Sequence, residues 1–334
     1  MVFEHLFPDG LLERKEWTAF FLAIIYSTIS IIIARFLFPA NSGIVSVIFV
    51  SIFLIPYFST ILRREEYQEK REKRKGFLNL LRDNADVIQI YFFIFMGIYL
   101  AYMAYSFLAP YFGYEVGVVF REQLSLESVR GGAVFDIGTF TAILLNNWWV
   151  LLATFTIALI AGDGAVFFIA WNASAWGTIF GYRAFMAGAH TGESALFMLL
   201  IIVLITLPHL ILEGGAYILA ALSGGIMSDL VDKLDEIRTF VIYFVCAAIF
   251  FMLLHKVAGF ALGPIGLGVF DLTVALLALY GVGFLLEDSD IHVFQYNYWL
   301  FIAAIGVFII GALVETFVLY NATPLQEVYF AAMS

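Results

Sequence analysis

The sequence predicts an all-α, polytopic transmembrane helical bundle of about nine spans, with seven or eight spans as the alternatives. Of the 334 residues, 63% are hydrophobic and 13% are charged, whereas about 25% of the residues in a soluble domain are charged. Long apolar runs recur along the chain, and its mean hydropathy is +0.95. Too few polar side chains remain to cover a water-soluble surface, so the composition excludes a soluble globular enzyme.

The individual spans follow from the length rule that a bilayer-crossing helix needs about 20 predominantly apolar residues. The N-terminal stretch before the first span is amphipathic and is expected to lie at the membrane interface. The fourth and fifth spans are separated only by Gly162, Asp163 and Gly164, so they form either a helical hairpin or a re-entrant pair. The nine predicted spans are 17–38, 44–62, 87–109, 139–161, 165–182, 196–222, 239–260, 265–286 and 298–320.

Charged residues concentrate in an arm between the second and third spans, residues 63–86. Because basic segments stay in the cytoplasm, the arm and the N-terminus are predicted to be cytoplasmic in a multi-pass protein of the cell membrane. The arm is either a solvated helical extension of the second span, held by i,i+4 ion pairs, or a docking segment for partners or lipids. The predicted organisation has four parts. They are an interfacial segment with a two-span hairpin (1–62), this arm (63–86), a core (87–260), and two C-terminal spans with a tail (261–334).

Composition also limits the partners and cofactors. The net charge of −10 and a pI near 4.9 argue against nucleic acid, which needs a basic footprint. The single cysteine, Cys246, excludes a disulfide framework and a cysteine-based metal site, and it is interpreted as a small buried hydrophobe. No metal and no cofactor is predicted, and the expected partners are the lipid bilayer and either other proteins or further copies of the chain.

Polar residues inside the spans predict which helix faces lie in the bundle interior, because an ionisable group at the bilayer centre costs at least about 2.5–3.5 kcal/mol. In the sixth span, His209 and Glu213 lie one turn apart on one helical face. The pair is interpreted as an interhelical clamp satisfied by asparagines, as a proton or ion relay, or as part of a metal site, for which zinc needs three or four ligands. The predicted intramembrane polar cluster is Asn146, Asn147, Asn172, His209 and Glu213.

Small residues predict where helices approach one another closely. Ala173, Gly177 and Gly181 recur every four residues and predict a packing ridge, with a pore lining as the alternative. Pro208, which lacks a backbone donor, and the adjacent glycines Gly214 and Gly215 complete the predicted packing residues. In the loop over 110–136, the spacing of apolar and charged residues over 115–130 predicts an amphipathic helix. This helix lies either on the outer face or packed on its own bundle as a connecting helix.

Three motifs follow one another in a specific order. An Asn-Asn pair opens a span (ILLNNWWVLLATFTIALIAGDG), an Asn-containing span with spaced small residues follows (FFIAWNASAWGTIFGYRA), and a Pro-His…Glu span comes third (LPHLILEGGAYILAALSGG). This succession resembles the stage II sporulation protein M family of integral membrane proteins, in its archaeal type, over residues 87–260. The family's third motif usually reads Pro-His-Gly…Glu, and this chain has Leu210 at the glycine position.

The resemblance implies a non-enzymatic membrane scaffold or assembly subunit that organises partner proteins, because the sporulation member recruits cell-wall hydrolases to the septal membrane. It supplies no catalytic residues, and the asparagines, Pro208, His209 and Glu213 are carried over only as motif positions. The alternative is a transporter or channel subunit with a midmembrane site at His209 and Glu213, for which Asp271 and Glu315 offer further acidic groups. An intramembrane hydrolase would need a nucleophile–base pair, and because no such motif lies in a span, no enzymatic activity is predicted.

Overall fold

The computed structural model describes residues 16–69, 85–125, 137–231, 254–255, 264–282 and 291–321. Almost every residue in these ranges is helical, and none of them forms a strand, which confirms the all-α prediction. The helices are α1 (Glu16–Leu37), α2 (Ser42–Glu69), α3 (Ala85–Leu108), α4 (Val116–Val119), α5 (Arg121–Ser125), α6 (Ile137–Ala161), α7 (Val166–Thr191), α8 (Ala195–Val231), α9 (Pro264–Val282) and α10 (Ile291–Asn321).

Six helices in the described ranges are long and apolar enough to cross a membrane, namely α1, α2, α3, α6, α8 and α10. The chain is therefore a multi-pass membrane protein, but the predicted count of nine spans is not confirmed. Helix α7 forms at the predicted fifth position, yet polar residues such as Asn172 and Arg183 lower its hydropathy. Helix α9 lies at the predicted eighth position, and all but 254–255 of the predicted span 239–260 lies outside the described residues.

Neighbouring helices alternate in direction between two ends of the bundle. We call the end at which α1 begins the first end, and the opposite end the second end. Helices α1, α3, α7 and α10 run toward the second end, and α2, α6 and α8 run back. The turns at Pro39–Asn41 and at 192–194 therefore lie at the second end, whereas the turn at Gly162–Ala165 lies at the first end.

The 37-residue helix α8 lies at the centre of the bundle. At 1.5 Å per residue it is about 55 Å long, which exceeds the roughly 30 Å hydrocarbon core of a bilayer. It packs against α6, α7 and α10, and every residue from 216 to 228 is buried. Pro208 lies inside this helix and cannot donate to the carbonyl of Leu204 one turn earlier.

Glycines allow the helix backbones to touch at several crossings, as is typical of membrane helices. A Cβ built at Gly177 of α7 would fall on the carbonyl oxygen of Tyr99 in α3, and one at Gly181 would fall on that of Met103. On α8, a Cβ at Gly224 would come within 2.6 Å of the Phe155 carbonyl oxygen of α6. These contacts fix the positions of α3 and α6 relative to the two central helices.

The charged arm begins as a continuation of helix α2. The apolar stretch over Pro39–Phe58 passes without a break into the charged residues up to Glu69. The arm's helical portion, 63–69, therefore extends the second span by about 10 Å at 1.5 Å per residue. The rest of the arm, from 70 to 84, and the interfacial segment before Glu16 lie outside the described residues.

The loop after α3 differs from the continuous helix predicted over 115–130. Its described part forms the short helices α4 and α5, which break at Phe120 because this residue adopts a non-helical conformation (φ −122°, ψ 39°). The Phe120 ring is buried against Tyr102 and Tyr105 of α3. The Gln123 side-chain amide donates from Nε2 to the Gly43 carbonyl oxygen at 3.1 Å. This part of the loop thus packs on its own bundle, and 126–136 lies outside the described residues.

Candidate intramembrane polar site

The site is centred on Glu213, which lies on the inward face of α8. Its side chain is only 2% exposed. Asn147 of α6 donates its Nδ2 hydrogen to Glu213 Oε1 at 2.9 Å. This hydrogen bond joins two spanning helices in the bundle interior, and it satisfies part of the acceptor capacity of a buried carboxyl group.

A second carboxyl group reaches Glu213 from α10. The carboxyl groups of Glu213 and Glu315 lie within hydrogen-bonding range of one another, and no donor among the described residues bonds to the buried Oε2 atom of Glu315. An ionised carboxylate can only accept hydrogen bonds, so a bond between two carboxyl groups requires that at least one of them carries a proton. A single proton can therefore bridge the two groups between α8 and α10.

The α10 backbone comes close to Glu213 because a glycine stands opposite it. Gly311 lies one turn before Glu315 on the same face of α10, and a Cβ built there would come within 3.0 Å of Glu213 Cγ. A side chain at position 311 would displace the Glu213 side chain. The missing side chain at 311 thus lets α10 pack directly against the Glu213 side chain.

Two further polar side chains flank Glu213 along α8. His209 lies one turn toward the second end and is 8% exposed. Within the described part of the chain, its Nδ1 atom has no hydrogen-bond partner. Tyr217 lies one turn toward the first end, is buried, and is close enough to interact electrostatically with both Glu213 and Glu315. Spacings of four residues place all three side chains on one helical face.

Aromatic rings pack beside the neighbours of Glu213 on α8. The ring of Phe95 packs 3.3 Å from the position that a Cβ at Gly214 would take, and Trp176 packs beside Tyr217 with ring centroids 6.3 Å apart. Electrostatic interactions are strong in such a low-dielectric environment. Within the described ranges, no group of three or more His, Cys, Asp or Glu side chains is arranged to hold a metal ion.

The structure brings only part of the predicted cluster together. Asn147, Glu213 and His209 lie together, but Asn172 donates its Nδ2 hydrogen to the Phe168 carbonyl oxygen of its own helix at 2.8 Å. Asn172 therefore does not bond to the carboxyl pair. Asn146 is part of α6, but its side chain lies outside the described parts of the chain.

The predicted packing residues also divide into two groups. Ala173, Gly177 and Gly181 are buried along α7, and the two glycines contact α3 directly. Gly214 contacts Phe95 of α3, but a Cβ at Gly215 would meet no atom within 4 Å. Close approach on this stretch of α8 thus occurs at Gly214, whereas Gly215 faces open space because it points about 100° away around the helix.

Sequence reasoning named Glu315 only as a further acidic group for a transport site, without placing it in the cluster, and it did not name Tyr217. Glu315 lies about a hundred residues from Glu213, and no local pattern links the two positions. Tyr217 could have been found, because it continues the spacing of four residues that relates His209 to Glu213.

A separate ionisable contact joins His255 Nδ1 to Asp271 Oδ2 of α9 at 2.8 Å.

Fold and site define a polytopic α-helical membrane protein with a buried carboxyl pair between two of its spanning helices. No family model, no curated protein and no solved structure matches the chain. The resemblance to stage II sporulation protein M over 87–260 therefore stays a prediction from the three sequence motifs.

Proposed function

We propose that the protein is a transport subunit that moves protons across the membrane through Glu213 and Glu315. The observation that carries the proposal is the contact between the carboxyl groups of the buried Glu213 and the half-buried Glu315. Ionisable groups inside a membrane are costly, and they commonly mark ion pathways and proton relays. Glu213 also accepts a hydrogen bond from Asn147 of α6 and so connects the pair to a third helix.

A purely structural clamp would not need two acids. An amide opposite Asn147 would join α6 to α8 without placing an ionisable group in the bundle interior. Two facing carboxyl groups repel one another whenever both are ionised, and the repulsion is strongest at low dielectric. The clamp interpretation explains the Asn147 hydrogen bond, but it does not explain why α10 supplies a second acid.

The residues along α8 support a proton path on both sides of the pair. Thr206, His209, Glu213 and Tyr217 recur at spacings of three and four residues, so they share one face. All four are buried. Hydroxyl, imidazole, carboxyl and phenol groups can each donate and accept a hydrogen bond, and this face therefore carries exchangeable protons over about three helical turns.

The proposal is tested by proton flux into liposomes that contain the purified protein and an entrapped pH-sensitive dye. A potassium gradient with valinomycin supplies the driving potential. The wild-type protein should acidify the lumen, whereas Glu213→Gln and Glu315→Gln should each reduce the rate by about tenfold or more, as expected when a proton-carrying group is lost. Glutamine keeps the size of the side chain and can still hydrogen-bond to the remaining carboxyl group, so the helix contact is retained.

Glu193→Gln is the matched control, because Glu193 is exposed in the turn between α7 and α8. This variant should transport protons at the wild-type rate. Wild-type flux equal to that of protein-free liposomes would refute the proposal, as would unchanged flux in both variants of the pair. Lower thermal stability without a change in flux would favour the clamp interpretation.

A second candidate function is the non-enzymatic scaffold or assembly subunit that the family resemblance implies. The observation that favours it is the continuous helix α2, which carries the start of the charged arm out of the apolar span. A rigid, charged extension of this kind offers partners a platform at the membrane surface. The corresponding partners would be other proteins or further copies of the chain.

This second candidate is tested by extracting the tagged protein from its own membrane into lipid nanodiscs and determining the mass of the assembly. A stoichiometric companion chain should be lost when residues 70–82 are replaced by an uncharged Ser- and Gln-rich sequence of the same length. Retention of the companion after this replacement would exclude the arm as the docking segment. A bare monomer in the wild-type preparation would refute the scaffold.

A further inference from the structure

We infer that the contact between Glu213 and Glu315 holds one shared proton in the resting protein, so that the ligand of this site is a proton and not a metal cation. The inference rests on the proposed function and specifies its substrate at the level of atoms. One carboxyl O–H donates to a carboxylate oxygen of the other residue. Loss of the proton leaves two carboxylates, and uptake of a second proton leaves two carboxylic acids.

The close approach of the two side chains itself favours a bridging proton. Two carboxylates without a proton or a cation between them would repel one another, and at low dielectric the repulsion would separate the side chains. The glycine at 311 instead lets α10 approach until the two carboxyl groups meet. The helix packing thus favours a bridged pair over two separate anions.

In the part of the chain that the structure describes, the groups that face the pair leave it short of positive charge and of hydrogen-bond donors. Helix α6 contributes the neutral amide of Asn147, and α8 contributes His209 and Tyr217. The rings of Phe95 of α3 and Trp176 of α7 pack beside neighbouring residues of α8. One amide, one imidazole and one phenol are few donors for two anions, and one shared proton brings the charge of the pair to −1.

A cation at this position would need more ligands than the pair provides. Calcium takes six to eight oxygen ligands, and magnesium requires a near-ideal octahedron. Among the described residues, the pair supplies its carboxyl oxygens without a cluster of three acidic or histidine side chains. A proton needs only the two oxygens that are already in contact.

The experiment is infrared spectroscopy of the wild-type protein in nanodiscs with ¹³C-labelled glutamate at neutral pH. The spectrum of the double variant Glu213→Gln/Glu315→Gln is subtracted from that of the wild type. The difference should contain one protonated-carboxyl band that shifts in D₂O and one carboxylate band. The control difference between wild type and Glu193→Gln should contain a carboxylate band alone.

Two carboxylate bands and no protonated band in the double-variant difference would overturn the inference, and two protonated bands would exclude a shared proton. Replacement of the protonated band by a carboxylate band on addition of NaCl, CaCl₂ or MgCl₂ would identify a cation site instead. If the double variant fails to fold, the D₂O-sensitive glutamate band of the wild type and its shift in each single variant provide the same test.

Different results would refute the shared proton and the transport function. One protonated-carboxyl band and one carboxylate band in a protein without proton flux would support the shared proton and refute the transport function. Proton flux that depends on the pair, combined with two carboxylate bands, would keep the transport function and refute the shared proton.

Discussion

Gly311 of α10 lies directly against the side chain of Glu213 of α8, at a distance where a Cβ on residue 311 would come within 3.0 Å of Glu213 Cγ. Because Glu315 follows Gly311 by one helical turn, the same face of α10 supplies both the close approach and the second carboxyl group. A residue without a side chain therefore lets α10 approach Glu213 one turn from the second carboxyl group.

Gly311→Ala is predicted to destabilise the protein and to reduce proton flux. Alanine favours a helix over glycine by about 0.5–1 kcal/mol, but overpacking costs about 1–3 kcal/mol, and the new methyl group would displace Glu213. Gly306→Ala on the same helix is the control, because a Cβ there meets no atom within 4 Å. It should be neutral or stabilising. Thermal unfolding in detergent and liposome flux measure both effects, and equal behaviour of the two variants would contradict the prediction.

Gly177→Ala is predicted to weaken the contact between α7 and α3. The new Cβ would meet the carbonyl oxygen of Tyr99, which is part of the backbone and cannot rotate away. We expect a loss of about 2 kcal/mol or more in unfolding free energy, near the middle of the usual range for overpacking. Gly215→Ala has open space and should change stability by less than about 1 kcal/mol. Chemical unfolding curves provide the comparison, and a stable Gly177→Ala variant would argue against direct contact of these backbones.

Asn147→Ala is predicted to destabilise the bundle, because it removes the donor that bonds to Glu213 Oε1. A buried acceptor that loses its partner costs about 1–3 kcal/mol. Asn172→Ala is the matched control, since it removes only a bond to a carbonyl on its own helix, and its cost should be smaller. The melting temperatures of the two variants distinguish the sites. A larger drop in melting temperature for Asn172→Ala than for Asn147→Ala would contradict the prediction.

The alternation of the helices predicts which turns share a side of the membrane. Asn41 and Glu193 are exposed at the second end of the bundle, and Ala161 is exposed at the first end. In a Cys246→Ser background, cysteines at 41 and 193 should react with an impermeant maleimide from one side, and a cysteine at 161 only from the other. With a cytoplasmic N-terminus, 161 is labelled in inverted vesicles and 41 in intact cells. Labelling of 41 and 161 from the same side would contradict the described bundle.

Apolar run lengths and small-residue spacing, both local properties of the chain, predicted much of the fold. Helices form at the positions predicted for the first six spans, and Gly177 and Gly181 lie at a close helix crossing. The break at Phe120 was not predictable from helical periodicity. It depends on a pocket between Tyr102 and Tyr105 that exists only after α3 has packed.

The candidate site was predictable only in part, for a related reason. His209 and Glu213 share a helix, so their spacing alone is enough to place them on one face. The contact between Glu213 and Glu315 depends on how two distant helices pack, and a single sequence carries no signal for it. Asn172 illustrates the opposite error, because a polar residue in a span can bond to its own helix.

Pro208 separates two halves of α8 that differ in how far they are buried. The half beyond it is enclosed, with every residue from 216 to 228 buried, whereas Leu196, Leu200 and Leu204 before it are exposed on the outside of the bundle. Sharp bends in long helices usually occur at proline. A bend here would swing the outer half through lipid while the enclosed half stays anchored. Because His209 directly follows Pro208, such a bend would move the outer half of α8 relative to the polar face that carries Glu213.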